Sequence, residues 1–118
     1  MITKLLFNDM LTPKKVYLDE LMIAQEYGRG RQVSVEYTIL KKKTNDPVNF
    51  TVKIYKTNNL SYGKENLDKV TLWKTITITD AYKFEDLGEA PHCNFLIFEM
   101  DNSAVMYSAH PLLSFCIM

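Results

Sequence analysis

The sequence predicts an all-β domain, and three observations carry that prediction. Gln32–Leu40 sets Val33, Val35, Tyr37 and Ile39 against Gln32, Ser34, Glu36 and Thr38, while Phe50–Lys56 sets Phe50, Val52 and Ile54 against Thr51, Lys53 and Tyr55. Period-two alternation of this kind is the mark of a strand with one buried face. Asn94–Met100 is apolar on both faces, which fits a central strand covered on both sides. Only four glycines and four prolines occur, and they fall between these segments, where turns belong.

The elements follow in order. Ile2–Phe7 is a short apolar strand, ended before Pro13, since proline donates no ladder hydrogen bond. Val16–Ala24 reads as a strand, with Leu18, Leu21 and Met22 leaving helix open as the alternative. Gly28–Arg31 is a turn with two arginines at its tip, so Val16–Ala24 and Gln32–Leu40 are expected to form a hairpin. Lys41–Pro47 is a basic loop, and Phe50–Lys56 is the next strand. Lys64–Val70 is a short helix. Leu72–Phe84 returns to strand and is long enough to bend or break, and Glu85–Pro91 is an acidic loop. Asn94–Met100, a turn at Asp101–Ser103, a strand at Ala104–Ala109 and an apolar ending at Pro111–Met118 complete the chain. Without the terminal strands, the order is three strands, a short helix and two strands. That is the order of an OB-like five-stranded Greek-key barrel with one short helix, here with additional terminal strands in a single domain, residues 1–118. The apolar ending belongs either in that core or in an interface between subunits.

Composition excludes several classes. Hydrophobic residues make up 47% and charged residues 24%, as in ordinary globular proteins. There is no apolar run long enough to span a membrane. Met1–Met10 carries Lys4, Asn8 and Asp9 and lacks the pattern of a secretion signal, so a cytoplasmic protein is expected. Cys93 and Cys116 are too few for a disulfide framework and read as buried thiols in a reducing compartment. The net charge of zero hides an asymmetry. Residues 1–74 hold 13 basic against 8 acidic residues, a surplus of five positive charges, and residues 75–118 hold one basic against six acidic. Sign asymmetry points to a basic working face and an acidic far side, while overall neutrality argues against binding by bulk charge.

The candidate site residues lie on the polar faces of two strands. Tyr55, and Trp73 in the segment Leu72–Asp80, are expected on an open face among lysines and threonines. A ring beside a positive charge suits stacking on nucleic-acid bases while the lysine meets phosphate. Lys53, Lys56 and Lys74 are the phosphate-neutralising candidates, with Lys74 the weakest because it shares the parity of Leu72 and Ile76. Arg29 and Arg31 at the hairpin tip, and Lys41, Lys42 and Lys43 in the next loop, would line the groove. The lysine run also reads as a solvated loop that protects an edge, and Tyr37 has core parity.

In size, element order, Lys/Asn/Tyr/Ile-rich composition and the aromatic-plus-lysine strands Phe50–Lys56 and Leu72–Phe84, the chain resembles the small OB-fold single-stranded-DNA-binding proteins of bacteriophages of lactococci and related bacteria. The resemblance covers residues 14–110. It implies sequence-independent binding of single-stranded DNA in phage replication or recombination, in the host cell cytoplasm. It also implies a homo-oligomer, dimer or tetramer, with phage or host recombination proteins as further partners. The chain departs from the bacterial single-stranded-DNA-binding proteins at its end, Pro111–Met118, which has none of their acidic tail.

No enzyme is expected. His92 and Cys93 are adjacent, so in a strand they point to opposite faces and make no nucleophile–base pair. His110 has no partner motif, no zinc-ligand spacing occurs, and Gly28-Arg29-Gly30 lacks the rest of a phosphate loop. Asp80, Glu85 and Asp86 form an acidic group of the kind usually solvated, so no metal or cofactor is expected. The rival reading is a protein–protein interaction module on a β-sandwich: a phage structural, adaptor or host-inhibitor protein. Its exposed aromatics would be interface anchors.

Overall fold

The structure, a computed structural model, describes residues 2–7, 16–23, 31–38, 49–79, 82–101 and 112–117. The protein is mainly β. Its strands are β1 (Ile2–Leu6), β2 (Val16–Met22), β3 (Gln32–Thr38), β4 (Phe50–Thr57), β5 (Thr71–Ile78), β6 (Tyr82–Glu89), β7 (Phe95–Asp101) and β8 (Leu112–Ile117). Between β4 and β5 lie one short helix, α1 (Leu60–Glu65), and a 3-10 turn, Leu67–Lys69.

The strands form two antiparallel four-stranded sheets, β1-β8-β3-β6 (sheet 1) and β2-β7-β4-β5 (sheet 2). Four of the pairings, β1 with β8, β2 with β7, β3 with β6 and β4 with β5, are the rungs of one long hairpin whose apex is the β4–β5 connection. Two further ladders, β3 with β8 and β4 with β7, roll that hairpin into a sandwich. This is the strand order of a double-sheet jelly roll.

The core lies between the sheets. Val33, Val35 and Tyr37 of β3, Val52 and Ile54 of β4, and Ile76 and Ile78 of β5 are all buried, as their alternation predicts. Phe98 of sheet 2 meets Phe115 of sheet 1 edge to face, with ring centroids 5.0 Å apart, a favoured aromatic geometry. β7 sits between β2 and β4, and its Leu96, Ile97 and Phe98 are fully buried, in keeping with the apolar character of both its faces. β8 is an interior strand of sheet 1, and its Phe115 is fully buried in the core.

Several expectations are corrected. The ladders form two sheets rather than the expected five-stranded OB-like barrel, and the terminal strands β1 and β8 pair with each other as an integral part of sheet 1. β2 and β3 make no hairpin: β2 pairs with β7, and β3 with β6 and β8. Leu72–Phe84 breaks, as its length allows, into β5 and β6 in different sheets, but most of the expected acidic loop Glu85–Pro91 is the end of β6. Alternation reports which face of a strand is buried, but the choice of hydrogen-bonding partner is non-local. The helix starts before Lys64, because the Asn59 side chain accepts the Tyr62 N–H at 3.0 Å and caps it there, a favoured N-cap. The turn at Gly28–Gly30, the Lys41–Pro47 loop and the strand expected at Ala104–Ala109 lie outside the described residues.

Candidate interaction surfaces

On the outer face of sheet 2, Tyr55 is half-buried and its hydroxyl donates to Glu99 at 3.0 Å across the β4–β7 ladder. Burial first, and the neighbouring Glu99 carboxylate second, push the Tyr55 phenol up to about 12. The same face is partly covered by α1, which packs against β7. Gly63 permits that contact: a Cβ there would lie 2.8 Å from Ile97 Cδ1 and 3.1 Å from Thr57 Cγ2. Ile97 points outward in register with Tyr55 yet is 0% exposed. Lys64 on α1 pairs with Glu20 of β2 at 3.2 Å. Beyond the helix, Lys53 stands opposite Glu99, and the two line a hollow of about 190 Å³ with Val16 and Thr51.

The second expected ring does not join the first. The β4–β5 register runs Ile54↔Lys74 and then Tyr55↔Leu72, so Trp73 is the extra residue of a bulge. A bulge shifts the alternation by one residue. Trp73 is therefore half-buried and packed against the core, while Leu72 takes the outward position and is 47% exposed. The expectation of an open aromatic platform made by Tyr55 and Trp73 is corrected accordingly. Lys74 is exposed, with Nζ 5.9 Å from the Trp73 ring centroid, within cation–π range.

The remaining basic candidates are scattered. Lys56 is half-buried and lines a shallow hollow of about 310 Å³ with Asn58, Thr71, His92 and Cys93. Burial pushes the Cys93 thiol up, and Sγ donates to the Phe95 carbonyl at 3.4 Å, the surroundings of an inert thiol. Arg31 is half-buried where it enters β3, and its carbonyl accepts the Ala90 N–H at 2.8 Å. Arg29, Lys41, Lys42 and Lys43 lie outside the described residues. Among the described residues no group of His, Cys, Asp or Glu has the arrangement of a metal site. None of their helices is long and apolar enough to cross a membrane.

Among the described residues, the most exposed aromatics are elsewhere. Tyr82 and Phe84 on β6 are each 59% exposed. They share the outer face of sheet 1, opposite Thr38 and Glu36 of β3. The Tyr82 hydroxyl donates to Glu36 at 3.0 Å, and that bond raises the phenol pKa. Asp86 and Glu89 occupy the next outward positions, opposite Ser34 and Gln32, after a second bulge buries Leu87. The described outward positions of β3 and β6 thus hold three carboxylates and no lysine or arginine. Tyr82 and Phe84 were legible as a pattern, since they alternate with Lys83 and Glu85. With charge on one face and rings on the other, neither face reads as a core, and this is how an outer strand looks.

Each of the four outer strands also carries a charge at a core-parity position. Lys4 stands opposite Phe115, Lys74 opposite Ile54, and Lys83 and Glu85 opposite Tyr37 and Val35. Asp19 on β2 lies between the buried positions Tyr17 and Leu21. Lys4 and Asp19 pair with each other at 2.8 Å and join the two sheets along one side of the sandwich. Inward charges and bulges on outer strands block further strand pairing.

In comparisons with models of protein families, with curated proteins and with solved structures, nothing matches this chain.

Proposed function

We propose that this chain is a non-catalytic protein-interaction module whose working surface is the outer face of β3 and β6. The observation that carries the reading is the exposed pair Tyr82 and Phe84 on a face whose described outward positions in β3 and β6 include Glu36, Asp86 and Glu89 but no lysine or arginine. Tyrosine and phenylalanine are enriched at protein interfaces, where a few aromatic anchors supply most of the binding energy. Nucleic acid is a poor occupant of this face, because each phosphate needs a cation beside it.

The single-strand-binding reading expects rings and lysines on one open surface. Tyr55 instead donates to Glu99, Trp73 packs on the core, and Lys53 faces Glu99. These arrangements favour the protein-binding reading of the β-sandwich. The experiment is a pair of titrations. Peptides displayed from a random library are panned on the wild-type protein and on Tyr82→Ser/Phe84→Ser, and Trp73 fluorescence is followed while poly-dT is added. The expected outcome is a set of peptides that need Tyr82 and Phe84, with Trp73 emission unmoved by the oligonucleotide. Salt-sensitive quenching by poly-dT, together with no peptide dependent on the two rings, overturns the reading in favour of single-strand binding.

A further inference from the structure

We infer that the partner presented to this face is a protein segment bearing arginine or lysine, laid across the outer surface of β3 and β6 rather than added to the edge of β6. The inference rests on the interaction-module reading and names the chemistry of its partner.

Charge complementarity selects the occupant. Phe84 stands directly across the ladder from Glu36, and Tyr82 is hydrogen-bonded to the same carboxylate. Asp86 and Glu89 continue the row of acids along β6. A cation entering here meets an aromatic face and a carboxylate together, and cation–π attraction adds to the ion pair. A wholly apolar partner would cover Glu36 and Asp86 without compensating their charge, which is costly. A second copy meeting through the same face would set like charges against each other. The outer face of sheet 2 is no better match for a second copy, since it sets Glu20 and Glu99 beside Lys53 and Lys64.

The mode of docking follows from β6 itself. An added strand would have to cover Lys83 and Glu85, which sit at core-parity positions, and would meet the bulge at Leu87. Both features oppose edge pairing. The outward rings, two residues apart and roughly 7 Å from each other along the strand, instead offer two contact points to a chain crossing the face.

The test uses the residue content of the peptides that need Tyr82 and Phe84, followed by fluorescence anisotropy on the best of them. If the inference holds, these peptides are enriched in arginine and lysine. Their affinity falls about tenfold in Glu36→Gln/Asp86→Asn/Glu89→Gln, and it falls with added salt on the unmutated protein. Ring-dependent peptides that are neutral or acidic, with salt-independent affinity, overturn the inference and leave the interaction-module reading standing. The absence of any ring-dependent peptide overturns both.

Discussion

Gly63→Ala tests whether α1 is held tightly on the outer face of sheet 2. In an exposed helix the change would stabilise by up to about 1 kcal/mol through helix propensity. Here the new Cβ would lie 2.8 Å from Ile97 Cδ1 and 3.1 Å from Thr57 Cγ2. Thr57 cannot turn away, because its hydroxyl donates to the Asn59 carbonyl at 3.0 Å and accepts the Asn59 N–H at 3.1 Å. Ile97 is fully buried, so turning its Cδ1 aside must displace packed neighbours. Overpacking of this kind costs about 1–3 kcal/mol. The net expectation is a destabilisation of about 1 kcal/mol. A chain of 118 residues has an unfolding entropy of roughly 0.25 kcal/mol/K, so Tm should fall by about 4 °C. Thermal unfolding followed by circular dichroism measures this. Shortening the neighbour gives a second handle: Ile97→Val alone should cost about 1 kcal/mol, but combined with Gly63→Ala the loss should be less than additive. A Gly63→Ala protein as stable as the wild type, with strictly additive behaviour in the pair, would refute the close helix–sheet contact.

Other expectations follow from the same geometry. Asp19 accepts Lys4 Nζ, the Phe7 N–H and the Glu20 N–H, each at 2.8 Å. Phe7 has a left-handed φ of 54°, which few non-glycine residues adopt. Asp19→Ala should therefore destabilise by about 2–3 kcal/mol and Lys4→Ala by under about 1 kcal/mol; equal losses in urea denaturation would contradict the central role given to the carboxylate. The Tyr55 phenol, pushed up to about 12 from an ordinary 10.0, keeps its proton in the folded state while the unfolded chain loses it. Its contribution to stability is thus fully present below pH 10 and is lost as pH rises toward 12. In ultraviolet titration of the phenols, Tyr55→Phe should remove the component near pH 12, and an unchanged profile would speak against the Glu99 contact. Replacing the inward charges of the outer strands, with Lys74→Val and Lys83→Val together, should promote concentration-dependent association seen by light scattering. A monomeric double variant would show that these lysines do not guard the edges.

Parts of the fold were legible because hydrophobic alternation is a local property of extended backbone. Val33, Val35 and Tyr37, Val52 and Ile54, and Ile76 and Ile78 were assigned to the buried side on parity alone, and each lies between the sheets. The apolar stretch of β7 was legible as a doubly covered strand for the same reason. The expected site was less legible. Lys53 is exposed on the face its parity implies, but the Tyr55–Trp73 platform depended on an alternation that runs unbroken from Leu72 to Ile78, and it does not. The exposed pair Tyr82 and Phe84 falls at the end of Leu72–Phe84, a segment whose expected site residues are Trp73 and Lys74 alone.

Local alternation was enough to establish a mainly β chain and, within an unbroken strand, which residues face the core. Long-range pairing set β1 against β8, placed β3 between β8 and β6, and sent β5 and β6 to different sheets. It alone also decided that bulges at Trp73 and Leu87 shift the phase of the two outer strands. The physical reason is the range of the forces. A residue's parity is set by its neighbours two positions away, whereas pairing and bulges are set by hydrogen bonds between segments far apart in the chain. A tryptophan suits either side of an outer strand, so nothing in its own neighbourhood revealed which way the bulge would turn it.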